Sequence, residues 1–159
     1  MPLIESLETP ATKALEDTKT SFQVFQHIHK ITTLQQAAEE RGQNPDQIIR
    51  SILFRQSSGQ FVLVLMAGDR QISWKALRAY LGERRISLAS PQDVIDYTGY
   101  EIGAVTPFGL LHPTRIIADP SVFTYPQISL GSGKKGFAII LISNLLPRLI
   151  ENIEITALT

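Results

Sequence analysis

Three groups of residues in this chain have the types and spacing that chemistry needs, and none includes a thiol. The first is Arg50, set inside the apolar run "IIRSILFR" (48–55) in line with Ile48, Ile52 and Phe54. On a strand alternate residues share a face, so a cation placed there either meets solvent or holds a ligand. The second group is "LGSGKKG" (130–136), where Gly131, Gly133 and Gly136 offer backbone N–H groups to an anion beside Lys134 and Lys135. The third is "TGYEIGAVTPFG" (98–109): Gly99, Gly103 and Gly109 let a ligand approach the backbone, and Pro107 after Thr106 stiffens the loop.

Two of these groups have plainer alternatives. The spacing of Gly131, Gly133 and Gly136 fits G-x-G-x-x-G, yet the strand-like "GFAIILI" follows it and only about 20 residues remain, too few for a dinucleotide unit. No G-K-[ST] occurs, so it is not a Walker loop. An ordinary hairpin with solvated lysines uses the same residues, and spacing leaves both readings open. His27 and His29 alternate on one strand face, but no third ligand accompanies them, so no metal site and no cofactor are expected. No G-x-S-x-G elbow supports a serine hydrolase.

The elements that must position these residues carry clear punctuation. Residues 1–20 are polar and read as an appendage, and the folded body starts near Ser21 with the strand "FQVFQHI". Thr33 caps a helix that pairs it with Gln36 in a capping box and stops at Gly42. Asn44-Pro45 is a second start signal, after which "SSG" joins "RSILFR" to "FVLVLMAG" as a hairpin. Ser73 to Gly82 and Ser90 to Gly99 bound two more helices, with the strand "RRISLA" between them; Trp74 and Leu77 recur at helical spacing and read as core. "TRIIAD", "QISLG", "GFAIILI", a short helix from Ser143 and "IEITAL" complete the chain. The expected fold is α/β: one compact domain, residues 21–159, with a mixed, largely antiparallel curved sheet flanked by short helices.

Composition sets the limits. A chain of 159 residues, 43% hydrophobic, supports one core. Fifteen basic residues balance fifteen acidic ones, so any nucleic-acid contact must rest on a local patch. The first residues do not form a signal or transit peptide and no run of about 18 apolar residues occurs, so a soluble, cytoplasmic protein without membrane contact is expected.

In this order, "QIIRSILFR", "FVLVLMAGDRQIS", "LASPQDVIDYTGYEIGAVTPFG" and "LGSGKKGFAI" closely resemble the YbaK / prolyl-tRNA synthetase-associated domain family. The Gly-x-x-x-Pro element from Gly103 to Pro107 is the most specific part. The resemblance implies a stand-alone aminoacyl-tRNA deacylase that edits in trans. Its partner would be a mischarged aminoacyl-tRNA, with alanine or cysteine on the proline isoacceptor as the expected cargo, and a synthetase is a second candidate partner.

The resemblance further implies catalytic roles for Arg50 and Gly103. It implies substrate contacts for Ser51, His27, Thr106, Pro107, Gly131, Ser132, Gly133 and Lys134. Arg50 stands where the family usually has lysine, Ser51 where threonine is common, Gly131 where serine is frequent and Ala138 where an aspartate occurs. These departures keep a second reading open, a non-catalytic tRNA- or nucleotide-binding relative of the same fold. The chemistry itself needs no thiol, triad or metal: an aminoacyl ester is already activated, and orienting it with a water while N–H groups hold its carbonyl oxygen accelerates hydrolysis.

Overall fold

Short polar side chains set the helix starts. In the computed structural model, which describes residues 3–4 and 6–159, Thr9, Thr33, Ser73 and Ser90 each accept a hydrogen bond from the backbone N–H three residues on. They open α1 (Pro10–Asp17), α2 (Leu34–Arg41), α3 (Trp74–Leu81) and α4 (Pro91–Thr98). Gly42, Gly82 and Gly99 close the last three in the left-handed conformation. Gln36 does not complete a capping box with Thr33; its side-chain oxygen accepts from the Thr32 N–H at 3.0 Å, one residue earlier. A 3-10 turn (Ser143–Leu145) leads into α5 (Leu146–Leu149), the short helix expected from Ser143.

The strands divide between two sheets where a single one was expected. β1 (Leu3–Ile4), β2 (Gln23–Gln26), β7 (Gln127–Gly131) and β8 (Phe137–Ile142) form an antiparallel sheet in the order β1-β2-β8-β7. The second sheet combines β3 (Ile49–Gln56), β4 (Phe61–Ala67), β5 (Ile86–Leu88), β6 (Arg115–Ala118) and β9 (Glu154–Ile155) in the order β5-β3-β4-β6-β9. Its β3–β4 hairpin is antiparallel, whereas β6 runs parallel to both β4 and β9. A bridge between Ile48 and Ser129 ties the entrance of β3 to β7, so the two sheets meet at one corner.

Pleat alternation then sorts the side chains. Leu63, Leu65 and Ala67 of β4 face the main core with Ile49 and Leu53 of β3 and Ile128, Leu130, Ile139 and Leu141 of the other sheet. Val62, Val64 and Met66 face the other way, with Phe54 and Ile117, onto Leu77 of α3. Both faces of β4 are therefore covered, which is why its sequence is an unbroken apolar run. Trp74, expected in this core, is 39% exposed and meets Phe54 only edge-on.

Residues 1–20, read as an appendage, are closely joined to the body where they are described. β1 extends the smaller sheet by pairing with β2, and α1 buries Ala11 and Leu15 in the main core. Ala11, Ala14 and Leu15 recur at helical spacing and form the face that docks on the core.

Candidate functional site

Three adjoining hollows open between the start of β3, one face of α2 and the loops at 99–109 and 131–136. The outermost is a cleft of about 770 Å3. Below it lies a recess of about 310 Å3 between β3, Val105 and Gly131, and beside that a mainly apolar pocket of about 210 Å3 lined by Leu53, Leu88, Ala89 and Val94. Among the described residues Gly103 alone lines all three. Its positive φ of 93° suits glycine, the residue is exposed, and its N–H has no acceptor among the described residues. The cleft wall carries His29, Lys30, Arg41, Arg50 and Lys135 and no carboxylate. A chain of zero net charge thus concentrates cations at one opening, the local patch that binding a polyanion requires.

Arg50 lies on the same face of β3 as Ile52 and Phe54 and bends over the strand end. Its Nε donates to the Gly68 carbonyl at 2.6 Å, and its Nη2 donates to the Arg70 carbonyl. Burial pulls its pKa below the usual arginine value, while Asp69 opposes the shift. The arginine within the apolar run is thus a brace for the turn that follows β4.

Arg41, at the end of α2, is the cation that sequence reasoning passed over. It follows buried Ala37 and Ala38 by four and three positions, the spacing that places a residue on the same helix face. Its Nε donates to His27 Nε2 at 3.0 Å and its Nη1 to Ser129 Oγ at 2.8 Å; Ser129 in turn donates to Gln43. Burial lowers its pKa to about 10, so it stays charged at neutral pH. Because His27 Nε2 accepts from Arg41, the ring is neutral with its proton on Nδ1, which lies 3.3 Å from Glu40 Oε1. Burial, then the Arg41 charge, holds the His27 pKa below 6.5.

The two glycine loops are docked backbone to backbone. The Gly133 N–H donates to the Ala104 carbonyl at 3.0 Å, and a Cβ on Gly131 would stand 2.2 Å from the Val105 carbonyl oxygen. Tyr100, buried, donates its hydroxyl to the carbonyls of Phe108 at 2.6 Å and Gly109 at 3.2 Å, and burial raises its pKa to about 12. The start of α1 fastens both loops: Thr9 donates its hydroxyl to the Ser132 carbonyl at 2.6 Å, and the Pro10 carbonyl fills the space beside Gly109.

Of the residues read as functional, Arg50, Gly103, Ser51, His27 and Gly131 line the connected hollows. Ser51 faces inward with its hydroxyl buried and unpartnered among the described residues. Thr106 and Pro107 are buried behind the loop, and the Thr106 hydroxyl also lacks a partner among the described residues. Ser132, Gly133 and Lys134 are not brought into the cleft. The Ser132 hydroxyl serves the turn by bonding the Lys134 and Phe137 carbonyls, the Gly133 N–H is spent on Ala104, and the Lys134 ammonium lies 5.1 Å from the Phe137 ring centre. Lys135 lines the cleft instead, 3.6 Å from Glu101. The glycine turn therefore offers no anion nest at Gly133, because the docking that shapes the site consumes that donor. His27 and His29 both approach Glu40, but no cluster of metal-ligating side chains exists among the described residues.

The chain belongs to the aminoacyl-tRNA editing domain family, whose profile matches residues 29–149. It is 33% identical over 133 residues to the uncharacterized protein YwhH of Bacillus subtilis, covering 79% of this chain and 84% of that one. It is 35% identical over 83 residues to the multifunctional Ser/Thr-tRNA deacylase ProXp-y of Escherichia coli, covering 52% of this chain and 50% of the relative. In the proline–tRNA ligase of Thermosipho melanesiensis, the similar segment is 20% of the ligase. A solved structure, proposed to be a trans-editing enzyme for prolyl tRNA synthetase, superposes with a TM-score of 0.86 at 24% identity, covering 97% of this chain and 99% of that one, and so shares the fold. Among the described residues no helix is long and apolar enough to cross a membrane.

Proposed function

We propose that the protein is a stand-alone aminoacyl-tRNA deacylase that hydrolyses tRNA bearing a small, wrongly attached amino acid. The observation that carries the reading is Gly103: a backbone N–H without an acceptor among the described residues, at the junction of a cation-walled cleft and a small, mainly apolar pocket. The acceptor end of a tRNA would enter along the cations. The ester carbonyl would meet the Gly103 N–H, where developing negative charge is stabilised by a donor already in place. Water oriented in the recess would attack the activated ester, and the amino acid side chain would occupy the apolar pocket.

That pocket, about 210 Å3, suits a small residue. Alanine and cysteine on the proline isoacceptor agree with its apolar lining. The unpartnered Ser51 hydroxyl also gives a serine or threonine side chain something to bond, in line with the name of the Escherichia coli relative. Arg50 contributes positive charge and holds the turn at 68–70 in place. The tethering of Arg50 by two carbonyls favours a second reading, in which the fold binds tRNA without turnover.

Single-turnover assays with alanyl-, cysteinyl-, seryl- and threonyl-tRNA separate the two. Release of the amino acid by wild type, with loss in Arg50→Ala and recovery in Arg50→Lys, is the expected result. Wild type that binds these tRNAs in a salt-dependent way, yet leaves every ester intact, would establish the binding relative instead.

A further inference from the structure

Three buried side-chain polar atoms have no hydrogen-bond partner among the described residues: His27 Nδ1, Ser51 Oγ and Thr106 Oγ1. Of the three residues, Ser51 alone lines the small pocket of about 210 Å3. Buried serines elsewhere are satisfied: Ser129 donates to Gln43, Ser132 to the Phe137 carbonyl and Ser143 to the Tyr125 carbonyl. The sheet explains the exception. β5 pairs with β3 only over Phe54–Gln56 before the chain leaves for α4, so no β5 residue stands opposite Ser51. A buried hydroxyl without a partner is costly, and a bound group that supplies the missing bond relieves that cost.

We infer that Ser51 is the specificity-determining residue of this pocket, and that the cargo it selects is a serine or threonine ester. The inference rests on the editing reading for the ester itself. Every other side chain in the lining is apolar, Ile52, Leu53, Leu88 and Val94 among them, and none carries charge. Such walls suit a small neutral side chain, and the one hydroxyl among them decides which. A hydroxyl both donates and accepts, so a cargo hydroxyl completes Ser51 and finds its own partner there, whereas alanine or valine leaves Ser51 unpaired. Size cannot make this distinction, because threonine and valine have nearly the same shape; a site that hydrogen-bonds a substrate hydroxyl rejects the analogue lacking it. Gly103 lines the same pocket, so an ester whose carbonyl meets that N–H carries its β-carbon into the space that Ser51 borders.

The test is single-turnover hydrolysis by the full chain of seryl, alanyl, threonyl and valyl esters, all carried on the proline isoacceptor. Wild type should favour seryl over alanyl, and threonyl over valyl, by about tenfold or more. Ser51→Ala should bring both ratios near one, and Ser51→Thr, which keeps the oxygen, should retain the preference for seryl over alanyl. Rates that follow size alone in wild type, or ratios that survive in Ser51→Ala, would overturn the assignment. An equal fall for all four esters in Ser51→Ala is one such result, the mark of a hydroxyl that serves only the attacking water. Calorimetric titration with 3′-serylamino-3′-deoxyadenosine and its alanyl counterpart, whose amide links resist hydrolysis, separates this inference from the reading it rests on. Tighter binding of the seryl compound without hydrolysis of any ester would sink the editing reading and leave this inference standing; hydrolysis of all four esters without preference would do the reverse.

Discussion

The two walls of the cleft are built on different principles. The loop wall, 99–109 against 131–136, is backbone docked on backbone, held by the Gly133–Ala104 bond, by Tyr100 beneath and by Thr9 above. The α2 wall is a row of side chains, Glu40, His27, Arg41 and Ser129, held by one another. One wall supplies geometry through its backbone, and the other supplies charge and hydrogen bonds on side chains that can be exchanged one at a time. Substitutions in the first should therefore damage structure and chemistry together, whereas substitutions in the second should separate binding from folding.

The sharpest way to break this contrast is Gly131→Ala. Its new methyl would collide with the Val105 carbonyl, and backbone cannot yield as a side chain does. The loops must part, at a cost of about 1–3 kcal/mol in stability and roughly a hundredfold in deacylation, since Gly103 moves with its loop. Urea unfolding beside single-turnover hydrolysis measures both, and a stable, active variant would show that the walls are not so different. Tyr100→Phe is milder. It strips the Phe108 and Gly109 carbonyls of their buried donor and should cost about 1–2 kcal/mol by the same unfolding assay.

The smallest expected effect lies on the α2 wall and depends on pH. His27 faces Arg41, Glu40 and the Phe25 ring, and its folded-state pKa lies below 6.5 because burial and Arg41 outweigh Glu40. The unfolded chain takes up a proton near pH 6.5 and the folded chain does so only at lower pH. Stability should consequently decline as pH falls below about 6.5, until the folded pKa is passed. Unfolding free energies between about pH 7.5 and 5.5 should show this slope in wild type and a flatter one in His27→Gln. Equal slopes would mean that the ring is not held neutral by this wall.

Much of the fold could be read from the residues because its signals are local. Thr33, Ser73 and Ser90 with Gly42, Gly82 and Gly99 bound their helices within a turn, and "SSG" bounds a hairpin of adjacent strands. The division into two sheets was not readable, since the β4–β6 and β6–β9 pairings join segments far apart in sequence, and alternation within a strand does not name its neighbour. The site shows the same limit. Gly103 and Ser51 stand out through motif and position, but Arg41 looks like a solvated charge at a helix end until Ala37 and Ala38 are seen to share its face. Ser132, Gly133 and Lys134 lie outside the hollows for a reason the sequence does not carry: a glycine-rich turn does not announce whether its donors are already spent.

The bond from Thr9 to Ser132 joins residues 123 positions apart. Closing so long a span carries a large entropic penalty that neighbouring contacts must offset, so such contacts form late in folding. During synthesis the loop wall cannot be fastened until β7 and the turn after it have left the ribosome, by which time the β3–β4 hairpin is long complete. The pocket that would inspect newly charged tRNA is thus among the last parts of its own chain to take shape.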